Sequence, residues 1–199
     1  MSLFIESIAY TNDSFLNIEF HNERVNKTRK EFFGITQPFF LEKEIQIPKD
    51  LQKDTWYKCR IIYAQNILEV KFELYQPKKI ESVELVFDNQ MDYSFKFKNR
   101  TPFENYLKQS PCDEIIIVKN GFITDSSYSN LIFFDGKNWI TPKTYLLNGT
   151  QRQYLLEKKI ITEKEIQVSD LPNFSHFKLI NAMLTIEKSP TLVISIINI

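Results

Sequence analysis

The chain is 199 residues long, 43% hydrophobic, 14% aromatic and 25% charged, the profile of one folded domain or two small ones and not of a disordered tail. Lys plus Arg and Asp plus Glu balance at 25 each, so no global basic field is present to gather nucleic acid or an anionic membrane surface. No run approaches the roughly 20 apolar residues that span a bilayer, and no charged stretch followed by an apolar core opens the chain, which predicts a cytoplasmic protein.

Residues 4–10 and 15–20 read as two strands around the turn-forming Asn12-Asp13-Ser14. Residues 21–33 change to helical spacing, with Gly34 placed to end the helix. Strands are predicted over 43–47, 57–63, 67–75 and 83–87, with Pro48 and Pro77 marking breaks. Residues 102–109 read as a helix, and 114–119, with an Ile-Ile-Ile-Val run, as a buried strand. Asn120-Gly121 then signals a hairpin into 122–125. A second hairpin is predicted from 130–135 to 139–141 across Gly136, followed by a helix over 152–159 and extended segments at 165–168, 176–182 and 192–197. A composition break at 88–92 divides this α+β pattern into an N-terminal domain 1–90 and a C-terminal domain 91–199.

Only four glycines occur, Gly34, Gly121, Gly136 and Gly149. Their spacing excludes the GxGxxG dinucleotide turn and the GxxxxGK[ST] phosphate loop, so a phosphorylated cofactor needs another device. Cys59, Cys112, His21 and His176 are too scattered for a metal knuckle or a redox CxxC; buried free thiols and no metal are expected.

From Gly121 the chain reads Gly-Phe-Ile-Thr-Asp-Ser-Ser-Tyr-Ser-Asn-Leu-Ile-Phe-Phe-Asp-Gly, then Trp-Ile-Thr-Pro, then Leu-Leu-Asn-Gly-Thr-Gln-Arg. With Phe-Ile-Glu-Ser-Ile near the start, His21-Asn-Glu-Arg24 and Leu-Ile-Asn-Ala-Met at 179–183, this resembles the class IV aminotransferase family of pyridoxal-phosphate enzymes. That family includes branched-chain and D-amino-acid aminotransferases and aminodeoxychorismate lyase. The resemblance implies the D-amino-acid aminotransferase-like fold of two small α/β halves, with 91–199 binding the cofactor. It also implies pyridoxal 5'-phosphate, a small amino-acid-like substrate and a homodimer.

The same resemblance suggests the site residues. Lys96, in Tyr93-Ser-Phe-Lys-Phe-Lys-Asn-Arg100, is the expected catalytic lysine that holds the cofactor as a Schiff base, with Lys98 its local competitor. Asp125 stands where most of the family has glutamate, and a carboxylate there keeps the pyridine nitrogen protonated and the ring an electron sink. Asn130 matches a family asparagine expected to organise the backbone of the site. The 147–152 segment resembles the turn into a helix whose N-terminal amides receive phosphate. There Gly149 permits the approach and Thr150 and Gln151 donate, with Gln151 replacing a more usual threonine. Arg24 corresponds to an arginine that reaches the phosphate as a charge-assisted donor. Asn181 and Ala182, in a turn like that of the aminodeoxychorismate lyases, are substrate-side candidates through backbone amides. Arg60 is either a substrate-carboxylate contact or a strand arginine in a surface ion pair. The turn and the lysine segment lean toward a lyase forming 4-aminobenzoate and pyruvate for folate synthesis. A branched-chain or D-amino-acid transaminase and a non-catalytic cofactor-fold binding protein are the alternatives.

Overall fold

The computed structural model describes residues 2–198. They divide into two compact units, one made of residues up to 76 with 95–99, the other of 77–94 with 100 onward. The single boundary expected after residue 90 is therefore replaced by a chain that crosses, returns and crosses again.

In the first unit β1 (Phe4–Thr11) turns through Asn12 and Asp13, both at positive φ, into a two-residue β2 (Ser14–Phe15), and α1 (Ile18–Phe33) follows at once. The strand expected over 15–20 is thus mostly helix. Asn17 adopts φ 53°, a left-handed conformation that asparagine tolerates, and redirects the chain before alternation can continue. The strand expected at 43–47 is likewise replaced by a short helix, α2 (Leu41–Glu44). Its start is fixed by Asn22 of α1, which accepts from the Leu41 amide at 2.9 Å and donates to Glu42 at 2.8 Å.

Two further strands, β3 (Tyr57–Tyr63) and β4 (Ile67–Leu74), complete an antiparallel sheet in the order β2-β1-β3-β4. Phe4, Ile8, Cys59 and Ile61 project from it at period two and pack with Val25 of α1 and Leu41. Residues 95–99 belong to this unit because they dock on the start of β1. The Ile5 amide donates to Lys96 O at 3.0 Å, the Lys98 amide to Leu3 O at 2.8 Å, and the Phe97 ring packs 5.1 Å from that of Phe4.

The second unit begins with β5 (Val83–Phe87), α3 (Thr101–Gln109), β6 (Glu114–Lys119) and β7 (Phe122–Ser126). β5 lies beside β6 in parallel pairing, so the residues before 90 cannot be cut from those after it. β6 is the buried central strand its apolar run predicts. The hairpin after it turns through Asn120 at φ 50° and Gly121 at φ 83°, the left-handed pair that a two-residue turn of this hand requires. The chain continues as β8 (Asn130–Phe134), β9 (Trp139–Pro142), α4 (Thr150–Glu157), β10 (Thr162–Lys164), β11 (His176–Ile180), β12 (Leu192–Val193) and β13 (Ile197–Asn198). One sheet has the order β13-β5-β6-β7 and the other β10-β9-β8-β11-β12.

Two expected extended segments differ. Residues 165–168 lead into a 3-10 turn over Val168–Asn173, fixed where the Gln167 amide donates to Asp170 at 2.9 Å. The 192–197 segment is split into β12 and β13 by a turn at Ile194–Ile196, and its two ends pair with different strands. Among the described residues no helix is long and apolar enough to cross a membrane, and no group of three or more His, Cys, Asp or Glu side chains could hold a metal ion.

Candidate active site

In the first unit a charged cluster sits where the apolar stripe of β1 meets α1. Glu6, wholly buried, lies between Phe4 and Ile8 on the core-facing side of β1. Arg24 donates to both of its oxygens, Nε to Oε1 at 2.8 Å and Nη2 to Oε2 at 2.5 Å, and His21 Nδ1 contacts Oε2 at 2.6 Å. Burial alone raises the Glu6 carboxyl. The Arg24 charge and hydrogen bond, with a smaller share from His21, outweigh it and hold the group down at about 2. Burial lowers the His21 imidazole, Glu6 opposes that, and the charges of Arg24 and Lys96 add to the lowering. His21 is then neutral and donates to an ionised Glu6.

Lys96 and Lys98 are separated by this geometry. Lys96 is half-buried and its charge acts on His21, whereas Lys98 is exposed and acts on Glu69. Lys96 thus lies near enough to the buried cluster for its charge to act on His21, in the first unit and not in the C-terminal half to which sequence assigned it. Arg60 lies elsewhere on the sheet, part-exposed and 4.0 Å from Glu69, in the surface ion pair that was its alternative reading.

In the second unit Asp125 lies in a β-bulge. Ile116 of β6 pairs with Ser126 and Val118 with Ile123, so β7 carries one extra residue between them, and the Thr124 hydroxyl fills the interrupted ladder by donating to Ile117 O at 2.6 Å. Strand alternation could not have shown this. The Asp125 carboxylate accepts from Asn130 Nδ2 at 2.7 Å on Oδ1, and from the Leu146 and Leu147 amides at 3.0 and 2.8 Å on Oδ2. Burial pushes the carboxyl up to about 6, against the lowering by these donors and by the more distant charge of Arg152.

Asn130 connects this carboxylate to the turn before α4. Its Nδ2 also donates to Leu147 O at 2.8 Å, and its Oδ1 accepts from the Gly149 amide at 3.1 Å. A Cβ on Gly149 would lie 2.1 Å from that oxygen, so only glycine permits the approach. Gly149 caps α4, and Thr150 and Gln151 form its buried first turn. Asp125, Asn130, Gly149, Thr150 and Gln151 are therefore brought together.

Asn181 joins them through Nδ2, which donates to Ser129 Oγ at 2.7 Å, while its Oδ1 accepts from the Met183 and Leu184 amides. The Asn181 amide expected to face substrate donates instead to Leu184 O at 3.2 Å, because it closes the tight turn. Ala182 remains at the tip of that turn. The loop between Asp125 and Asn130 is pinned at Ser127, whose amide donates to the buried Glu114 and whose carbonyl accepts from Arg100.

Sequence reasoning missed Glu6 and Arg152. A carboxylate on an otherwise apolar strand face marks the first, and a cation in the first turn of α4, where the helix dipole opposes it, marks the second.

The second-unit residues suit pyridoxal phosphate. Asp125 is a buried carboxylate with, among the described residues, no cation in hydrogen-bonding contact and with an acceptor site left on Oδ1, which suits a protonated ring nitrogen. The glycine turn into α4 presents amides to a phosphate.

Comparison with known proteins agrees with this arrangement. Residues 94–187, which include Lys96 and every second-unit candidate, match the Amino-transferase class IV family. A protein of Haemophilus influenzae named only as uncharacterized is 37% identical over 181 residues, spanning 89% of this chain and 96% of its own. A crystal structure from Haemophilus somnus, provisionally named a 4-amino-4-deoxychorismate lyase, shares 37% identity with a TM-score of 0.84 over 94% of this chain and 98% of that one. An aminotransferase from Brucella abortus with bound pyridoxal phosphate shares the fold at 16% identity, with a TM-score of 0.68 over 96% of this chain and 79% of its own. The motif order, the buried carboxylate beside a glycine-opened helix and these likenesses together make the chain a member of the class IV aminotransferase family.

Proposed function

We propose that this protein is a pyridoxal-phosphate enzyme that converts aminodeoxychorismate to 4-aminobenzoate and pyruvate, a step toward folate. The observation that carries the cofactor is Asp125, buried, short of a contacting cation and tied through Asn130 to the turn at Gly149. The lyase reading is supported by the Asn181-Ala182 turn and by the 37% identity to the Haemophilus somnus protein of that provisional name.

Each residue has a definite task. By the family resemblance Lys96 would hold the cofactor through its amine and move protons at the substrate carbon next to the amino group. Asp125 accepts the ring N–H and holds the nitrogen protonated. The first-turn amides of α4 would receive the phosphate, and the resemblance of His21-Asn-Glu-Arg24 to the family gives Arg24, its plane fixed by Glu6, the part of a charge-assisted donor. Bound there, pyridoxal phosphate supplies an electron sink for charge developing on the substrate.

Incubation with pyridoxal phosphate, borohydride reduction and peptide mapping should place the adduct on Lys96; an adduct elsewhere refutes that assignment. Aminodeoxychorismate should then release pyruvate with no 2-oxo acid present. A strict requirement for a 2-oxo acid acceptor would make the protein a transaminase.

A further inference from the structure

Arg152 is one of the largest fully buried side chains, 2% exposed, at the third position of α4. Two physical terms oppose a cation there, desolvation and the positive end of the helix. Its partners offset these incompletely. Nη1 donates to Asn148 Oδ1 at 2.9 Å, Nη2 donates to Pro142 O at 3.1 Å and to the half-exposed Glu163, and the guanidinium carbon lies 4.5 Å from the centre of the Tyr145 ring. Nε is buried without a hydrogen-bond partner among the described residues. The first turn of α4 contains no acidic residue, and the carboxylate paired with the guanidinium, Glu163, lies open to solvent, which screens it, so the buried helix end and guanidinium form one locus that keeps a positive character.

That locus has two connections. Asn148, which Arg152 grips, immediately precedes Gly149, the helix cap whose amide is held by Asn130. The charge of Arg152 also favours the ionised form of Asp125 without touching it. From this geometry we infer that Arg152 is a positioning residue for cofactor binding: it fixes the turn at Asn148-Gly149 for a phosphate dianion and supplies the buried countercharge beneath it. The inference rests on the cofactor reading above. It concerns chiefly the phosphate end: without the phosphate only the small, distant effect of the Arg152 charge on Asp125 is left.

The test compares binding of pyridoxal phosphate and of pyridoxal, followed by absorbance and fluorescence, in the wild type, Arg152→Gln, Arg152→Lys and Asn148→Ala, with thermal unfolding of each as a control. Arg152→Gln should weaken pyridoxal phosphate about tenfold or more and pyridoxal less than about twofold, in line with loss of a charged hydrogen-bonding group. Arg152→Lys keeps the charge and loses the fork, so its loss should be intermediate. Asn148→Ala keeps the charge and loses the grip, and it carries the test if Arg152→Gln does not fold. Equal losses for the two ligands, or no loss for either, overturn the inference while leaving the cofactor reading intact. A wild type that binds neither ligand overturns the cofactor reading itself.

Discussion

Glu6 and Asp125 are buried carboxylates, one in each unit, whose proton affinities move in opposite directions. Burial raises both. At Glu6 it is overruled by a guanidinium that contacts both oxygens, and the carboxyl falls to about 2. Asp125 receives three hydrogen bonds from neutral donors and only a distant cation, and it remains at about 6. Neutral donors replace water at a carboxylate without cancelling its charge. The first cluster is electrically complete, and the second is short of one positive charge in contact.

The largest expected effect is at the complete cluster. Glu6→Ala leaves the part-buried Arg24 with its principal anion gone, and breaking a buried pair by removing one partner costs about 3–5 kcal/mol. Urea unfolding of the ligand-free protein measures it. A loss below about 1 kcal/mol would mean that Arg24 escapes to water and that the cluster is not a closed pair.

A smaller effect, of distinctive sign, is expected at Asp125. Its folded-state value of about 6 lies above its ordinary 3.8, so the folded protein binds the proton more tightly, and stability declines as pH rises between those values. The Asp125→Asn protein lacks this titration. Stability of wild type minus variant should therefore fall between about pH 4 and pH 6, by on the order of 3 kcal/mol, and level off above. Glu6 behaves oppositely, because its contribution is present above its ordinary 4.5 and is lost as pH falls toward 2. Bound pyridoxal phosphate should flatten the Asp125 slope by bringing the missing cation. A difference curve that rises with pH would show that the neutral donors already satisfy the charge.

The contrast also explains what the sequence made legible. β6 and its Asn120-Gly121 turn are local in origin, so an apolar run and a turn dipeptide were enough to place them. The second-unit candidates were legible because Asp125, Asn130 and Gly149 lie in ordered motifs, and the Asn130 side chain meets both the Asp125 carboxylate and the Gly149 amide. The bulge at Asp125 was not visible, since an inserted residue breaks the period on which a strand reading depends. Nor was the assignment of 95–99 to the first unit, which rests on pairing with Leu3 and Ile5 more than ninety residues earlier. The helix starts at Ile18 and Leu41 escaped for a related reason, a left-handed Asn17 in one case and a tertiary hydrogen bond from Asn22 in the other.

The smallest expected effect is at an ion pair of the same chemistry that lies in water. Arg60 is 4.0 Å from Glu69, with both side chains about a third exposed, and it stands opposite Lys71 across β3 and β4. Solvent screens the attraction, and the like charge of Lys71 competes for the same carboxylate at 2.9 Å. Arg60→Ala should therefore change stability by no more than about 0.5 kcal/mol. Pyridoxal phosphate affinity should be unchanged, and KM for the proposed substrate, aminodeoxychorismate, should move by less than about twofold. A rise in KM of about tenfold at constant kcat would return Arg60 to the substrate carboxylate, because loss of uniform binding alone gives that split. Agreement with the small values would attribute the contrast to burial, since Arg60 and Arg24 offer a carboxylate the same guanidinium and differ in how much water surrounds it.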